Sequence, residues 1–273
     1  EQGFTLTVLP VDASGKISLA ALEAAIRKDT ILVSLMYVNN EIGAIQPIAE
    51  AAALIHRLNP DCYFHVDAVQ AYGKFELYPK RLGIDMMSVS SHKIEGPKGV
   101  GFLYVNRRVS LKPASFGGGQ QGGLRSGTLN VPGIAGMAEA ARAAYEDFEA
   151  KRERLLRVKN RILAGATELP GVRANSAPGM DSAPQILSLS VEGVRAEVLL
   201  HALEAEGVYV SSGSACSSNH PGISATLKGI GLPAKLLDST VRLSFSAENT
   251  EEEAERFLEL FRQTVPKLRQ FKR

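Results

Sequence analysis

Asp85-Met86-Met87-Ser88-Val89-Ser90-Ser91-His92-Lys93-Ile94-Glu95-Gly96 is an apolar, strand-like run that ends in hydroxyls, a histidine and a lysine, with a glycine-rich turn just beyond. A lysine at the end of a buried strand, in that polar company, reads as an amine able to condense with an aldehyde. The competing reading is a solvated surface lysine, the usual fate of this residue type.

Upstream, Tyr63-Phe64-His65-Val66-Asp67-Ala68-Val69-Gln70 is a second strand pattern, and it ends abruptly in a carboxylate. One strand end thus carries an acid and the other an amine. Pyridoxal phosphate chemistry needs both, because an acid at the pyridine nitrogen keeps the ring protonated and able to draw charge from a substrate carbon. It is the first cofactor this sequence suggests.

Around these runs, residues 31–37 are continuously apolar, as expected of a strand buried on both faces in a parallel sheet. Residues 4–9 alternate as a strand, and 18–28 carry apolar residues at helical spacing behind a candidate Ser18 cap. A helix is expected over 48–58 and a further β run over 99–105, so strand and helix alternate and the first half is α/β. A helical region spans 132–169, with a bend expected in the charged run 149–154. Beyond it a smaller α/β unit is expected: strand 186–191, helix 196–206 closed by Gly207, strand 208–210, helix 224–230, strand 240–245 and a last helix opened by a Thr250/Glu253 capping box. The domain division is therefore placed at 1–149 and 150–273, inside the long helical region.

The chain has 273 residues, enough for one large domain or two modest ones. A net charge of +2 offers no basic stripe for nucleic acid. Neither a membrane-spanning stretch nor a signal-peptide pattern is visible, so a cytoplasmic protein without membrane contact is expected. The chain opens at Glu1-Gln2-Gly3-Phe4, with no Met, directly into a strand pattern, and is expected to be a piece of a longer protein.

The two cysteines differ in setting. Cys62 stands beside Tyr63 and Phe64 and reads as core, whereas Cys216 lies in Ser211-Ser212-Gly213-Ser214-Ala215-Cys216-Ser217-Ser218-Asn219-His220, a polar segment of small residues suited to a reactive thiol. Their separation argues against a disulfide, and neither belongs to a metal-type cluster. Ser115-Phe116-Gly117-Gly118-Gly119-Gln120-Gln121-Gly122-Gly123-Leu124-Arg125-Ser126-Gly127-Thr128 is either a flexible linker or a loop whose donors meet a phosphate. Arg242 alternates with Val241 and Leu243; it is an exposed arginine or a fork for a substrate carboxylate.

Taken in order, Val38-Asn39-Asn40-Glu41-Ile42-Gly43, His65-Val66-Asp67-Ala68-Val69-Gln70, Ser90-Ser91-His92-Lys93, Gly117-Gly118-Gly119-Gln120 with Arg125-Ser126-Gly127-Thr128, and Ser211-Ser212-Gly213-Ser214-Ala215-Cys216 resemble the cysteine desulfurases of the NifS/IscS type. The resemblance runs from Phe4 almost to the C-terminus. It implies the fold-type I, class-V aminotransferase architecture: a mainly parallel sheet in a large domain, incomplete here at its N-terminal side, and a smaller C-terminal α/β domain. It further implies Lys93 as covalent anchor of pyridoxal phosphate and proton shuttle, Asp67 at the pyridine nitrogen, and Gln70 and Asn40 near the ring oxygen. Ser90 and His92 would hold the phosphate, and Thr128 would reach the phosphate of a neighbouring subunit in a homodimer. Arg242, with Asn40, would bind the carboxylate of L-cysteine, and Cys216 would take its sulfur as a persulfide for an acceptor or scaffold protein. The family pattern also has an upstream Gly-Ala-Thr-type phosphate loop and a ring-stacking histidine, and neither motif occurs among the 273 residues. Other readings are a selenocysteine lyase or another class-V enzyme, and a non-catalytic fragment serving dimerisation or scaffolding.

Overall fold

Ser18 accepts a hydrogen bond from the amide of Ala21 at 3.3 Å and opens the first helix, α1 (Leu19–Ala25), which buries Leu22. The computed structural model describes residues 3–212 and 224–271. The chain forms two compact units: one within Ile26–Tyr37 and Ile48–Phe148, the other within Glu1–Ala25, Val38–Pro47 and Glu149–Arg273.

The first of these units is built on β1 (Leu32–Met36), α2 (Ile48–Leu58), β2 (Tyr63–Asp67), β3 (Met86–Ser90), β4 (Gly101–Val105) and α3 (Val131–Tyr145). Its sheet runs β1-β2-β3-β4, with the first three strands parallel and β4 antiparallel to β3. Alternation divides the faces. Phe64 and Val66 are fully buried, while Tyr63, His65 and Asp67 point to the other side and are half-buried. The run at 31–37, expected to be buried on both faces, proves to be an edge strand of the described sheet, with Ile31 56% and Leu32 47% exposed. An apolar run reports the composition of a strand but not its place in the strand order.

A cluster around the buried carboxylate of Asp85 ties this unit together. Asp85, 2% exposed at the head of β3, receives Arg108 Nε at 2.5 Å and Nη2 at 2.6 Å, the amide of Phe64 at 2.8 Å, and lies 3.1 Å from His56 Nε2 on α2. Arg108 also donates to the carbonyls of Pro60 and Cys62, so one guanidinium joins three loops.

The second unit contains α1, α4 (Phe148–Thr167, from its second residue onward), β5 (Val172–Ala174), β6 (Ile186–Val191), α5 (Ala196–Glu204), α6 (Ala225–Gly229), β7 (Thr240–Ser244) and α7 (Glu251–Gln270). The three strands form an antiparallel sheet in the order β5-β6-β7. Leu187, Leu189 and Val191 of β6 join Leu199 and Leu203 of α5, Leu258 and Phe261 of α7, and Val158 and Ile162 of α4 in one core. The helical region breaks at Glu146-Asp147, where Asp147 has φ 48°, slightly ahead of the expected bend. Thr250 and Glu253 form the expected capping box on α7.

Two expected strands are absent. Residues 4–9 pair with no strand among the described residues, and Phe4, Leu6 and Val8 are 69%, 84% and 79% exposed. Residues 208–210 leave α5 through Gly207 (φ 79°) without a ladder, and only the next residue, Ser211, makes a bridge, to Arg242. Alternation signals a two-faced segment, but the hydrogen-bonding partner lies elsewhere in the chain and is not written in it.

Candidate functional site

Ligands of open α/β sheets gather beyond the carboxyl ends of the strands. Asp67 is the last residue of β2 and Ser90 the last of the adjacent parallel strand β3, with Asp67 in register with Ser88. The carboxylate of Asp67 accepts the amide of Val69 at 2.9 Å, which turns the chain at the strand end, and Gln70 follows, half-buried. Ser90 Oγ and His92 Nδ1 are 2.8 Å apart. Residues Ser91–Ile94 make a single 3-10 turn that carries His92 and Lys93 outward while Ser91 and Ile94 are buried. Glu95 has φ 66°, and the amide of Gly96 returns to the carbonyl of Ser91 at 3.1 Å. A Cβ on Gly96 would lie 2.1 Å from Ser91 Oγ, so a glycine is required for the turn to close. Lys93 is exposed at the rim of this edge. One edge therefore presents a carboxylate, a hydroxyl, an imidazole and an amine.

His65 lies behind this edge and is a structural residue. Its Nδ1 is 2.8 Å from Ser34 Oγ and its Nε2 2.8 Å from Ser88 Oγ, a side-chain ladder across β1, β2 and β3. Burial lowers its affinity for a proton, opposed by the charge of Asp67.

The glycine-rich stretch is a folded loop and not a free linker. Ser115 bridges Arg125, Ser126 Oγ donates to the carbonyl of Gly118 at 2.6 Å, and the amide of Gly127 donates to Gln120 Oε1 at 3.1 Å. Arg125 bonds the carbonyl of Ser126, and Thr128 is exposed beside them.

In the other unit, Asn39 closes a tight turn: its amide donates to the carbonyl of Ala44 at 2.8 Å, and its Oδ1 accepts the amides of Glu41 and Ile42, each at 2.9 Å. Arg242 Nη1 donates to the carbonyl of Asn40 at 3.0 Å and Nη2 to Ser211 Oγ at 3.4 Å. Arg242 and Ser211 also exchange backbone hydrogen bonds of 2.7 and 3.0 Å, which fixes the root of the arginine. Arg242 and the backbone of Asn40 are thus in contact.

Sequence reading missed Glu41 as a contact residue. Its carboxylate accepts Ser224 Oγ at 2.6 Å and Thr226 Oγ1 at 3.2 Å, tying the start of α6 to the Asn39 turn. Cys62 is fully buried and burial pushes its thiol up, in keeping with a core role. Cys216 lies outside the described residues.

Residues 1–257 match the family model for class-V aminotransferases. The chain is 45% identical over 262 residues to a "NifS/IcsS protein homolog" of Lactobacillus delbrueckii subsp. bulgaricus, covering 95% of this chain and 67% of that protein. It is 41% identical over 268 residues to a protein named cysteine desulfurase IscS from Methanosarcina thermophila, covering 98% of this chain and 66% of that protein. A solved structure titled "NIFS-LIKE PROTEIN" superposes with a TM-score of 0.90 at 35% identity, over 98% of this chain and 70% of its own. The chain spans about two thirds of the length of the relatives it matches. It belongs to the class-V aminotransferase family and, within it, to the cysteine desulfurases of the NifS/IscS group.

Proposed function

We propose that the protein is a pyridoxal-phosphate-dependent cysteine desulfurase that converts L-cysteine to L-alanine and leaves the sulfur as a persulfide on Cys216. From there an acceptor or scaffold protein would take it for iron-sulfur cluster or other sulfur-cofactor assembly. The observation that carries this reading is the clustering of Asp67, Ser90, His92 and Lys93 at one carboxyl edge, in a chain of this family. The names of the relatives favour desulfuration over the other class-V chemistries.

The donor set fits the cofactor. Lys93 supplies an amine for its aldehyde, Asp67 a carboxylate for its pyridine nitrogen, and the Ser90–His92 pair, 2.8 Å apart, a hydroxyl and an imidazole for its phosphate. When bound, pyridoxal phosphate supplies the electron sink that lets charge build at the substrate Cα.

The residues of this chain do the rest. Asp67 would hold the proton at the ring nitrogen, and Gln70 and Asn40 would serve as donors to the ring oxygen. Lys93 Nζ, exposed on its 3-10 turn, would move a proton at the substrate Cα. Arg242, rooted by Ser211 and oriented by the carbonyl of Asn40, holds the substrate carboxylate. Thr128 serves the phosphate of a second copy in a cytoplasmic homodimer. The substrate thiol and the Cys216 thiol balance the reaction between them: a sulfur–sulfur bond forms, the substrate carbon–sulfur bond breaks, the substrate carbon gains the proton, and no external oxidant is needed.

Incubating the cofactor-loaded protein with L-cysteine and measuring alanine tests the reading. Expected is catalytic alanine release, with sulfide in equal amount when a thiol reductant is present. A folded, cofactor-loaded protein that makes no alanine would contradict it.

A further inference from the structure

Lys159 of α4 is completely buried, at 0% exposure, in the core of its unit. Its Nζ donates to Ser182 Oγ at 2.5 Å, to the carbonyl of Ala183 at 3.0 Å and to the carbonyl of Ser182 at 3.3 Å. An ammonium has three N–H donors, and each finds an acceptor. None of these acceptors carries a charge. Burial pushes Lys159 down to about 8, and the carboxylate of Asp181, acting through space, opposes this. A buried cation without a contacting counter-ion is an unfavourable way to fill a core when a methionine has similar length.

What the ammonium holds is the peptide on which the Asn39 turn rests. Ser182 bridges Ala44, and the amide of Ala183 donates to the carbonyl of Gly43 at 2.8 Å. Gly43 has φ +73°, and a Cβ there would lie 3.3 Å from Ile186 Cβ, so the turn is seated closely on this segment. The turn's other end presents the carbonyl of Asn40 to Arg242. We propose that Lys159 is a positioning residue for substrate binding: its ammonium fixes Ser182 and Ala183, they fix the Asn39 turn, and the turn aims the Arg242 guanidinium at the substrate carboxylate. The inference rests on the desulfurase reading for its substrate, and on the contacts alone for its mechanics.

The test compares wild type with Lys159→Met, and with Ser182→Ala as a milder variant should the first fold poorly, using cofactor-loaded protein. At pH 7 the Michaelis constant for cysteine in Lys159→Met is expected to rise about five-fold with kcat within roughly two-fold, since binding and not chemistry is disturbed. Ser182→Ala should move the same way by less. The gap in kcat/KM should narrow above pH 8, where the native amine loses one donor. Titration of the substrate is common to both proteins and cancels in the ratio. A gap that does not change with pH, or a fall in kcat at constant KM, would overturn the proposal. A readout independent of turnover is hydrogen exchange: the amides of Asn39, Glu41, Ile42 and Gly43 should lose about ten-fold protection in Lys159→Met while those of α7 do not. Unchanged protection in the turn would overturn the positioning role. Absence of alanine from wild type, with protection lost in the variant, would instead remove the desulfurase reading and leave the mechanical link standing.

Discussion

Arg242 Nη1 donates to the backbone carbonyl of Asn40 at 3.0 Å across 202 positions of sequence. The acceptor is uncharged, and the resemblance to cysteine desulfurases gives this guanidinium the substrate carboxylate. Arg242→Ala is therefore expected to raise the Michaelis constant for cysteine about 100-fold, the loss of a charge-assisted bidentate pair worth ~2–3 kcal/mol. Arg242→Lys keeps the charge without the fork and should fall between. Steady-state kinetics decide, and an unchanged constant in the alanine variant would remove Arg242 from substrate binding.

Lys93 is expected to carry the cofactor covalently. Borohydride reduction of the loaded protein, followed by peptide mass analysis, should find the reduced adduct on Lys93, and Lys93→Ala should lose both the adduct and at least ~10³-fold in activity. A reduced adduct on another lysine would move the anchor elsewhere.

The Asp85–Arg108 cluster is expected to govern acid stability. Burial alone would raise the Asp85 carboxyl, but hydrogen bonds from Arg108, the Phe64 amide and His56 outweigh it and hold the group below its ordinary value of 3.8. A depressed carboxylate contributes stability above its unfolded value and loses it as pH falls through the folded one. Asp85→Asn should cost about 2–3 kcal/mol in urea unfolding at pH 7, because Arg108 keeps its partly buried position without a counter-ion. The gap between wild type and variant should be flat above pH 5 and shrink below 4. Parallel pH profiles would show that Asp85 is not the linked group.

Lys159 gives a slope of the same sign, in the alkaline range. Its proton is released near 8 in the folded protein against an ordinary value of 10.5, so the unfolded chain binds more protons between those limits. Stability of wild type relative to Lys159→Met should climb from pH 8 toward 10.5, by at most ~3 kcal/mol. Chemical denaturation across that range reads it directly.

The elements that could be read from sequence are those whose cause is local. Asp67 and Lys93 stand where an apolar run stops and polar residues begin, and that transition is visible without a partner. The capping box on α7 and the α/β alternation are visible for the same reason. What escaped reading depends on distant pairing. The edge position of β1, the unpaired segments 4–9 and 208–210, and the bond from Glu41 to Ser224, 183 positions away, follow from contacts that periodicity does not encode. Lys159 is an intermediate case. In Arg157-Val158-Lys159-Asn160-Arg161 it looks like one more solvated charge, yet it falls four after Leu155 and three before Ile162, on the buried stripe of α4. A lysine in phase with the apolar stripe was the available signal.

The central claim, sulfur passing from cysteine to the chain itself, is tested most directly by locating the persulfide. After a single turnover with L-cysteine, thiol-trapping mass analysis should place one added sulfur on Cys216, and Cys216→Ala should retain the cofactor absorbance yet yield no persulfide. Undiminished alanine formation by Cys216→Ala, or a persulfide found on Cys62 instead, would contradict it.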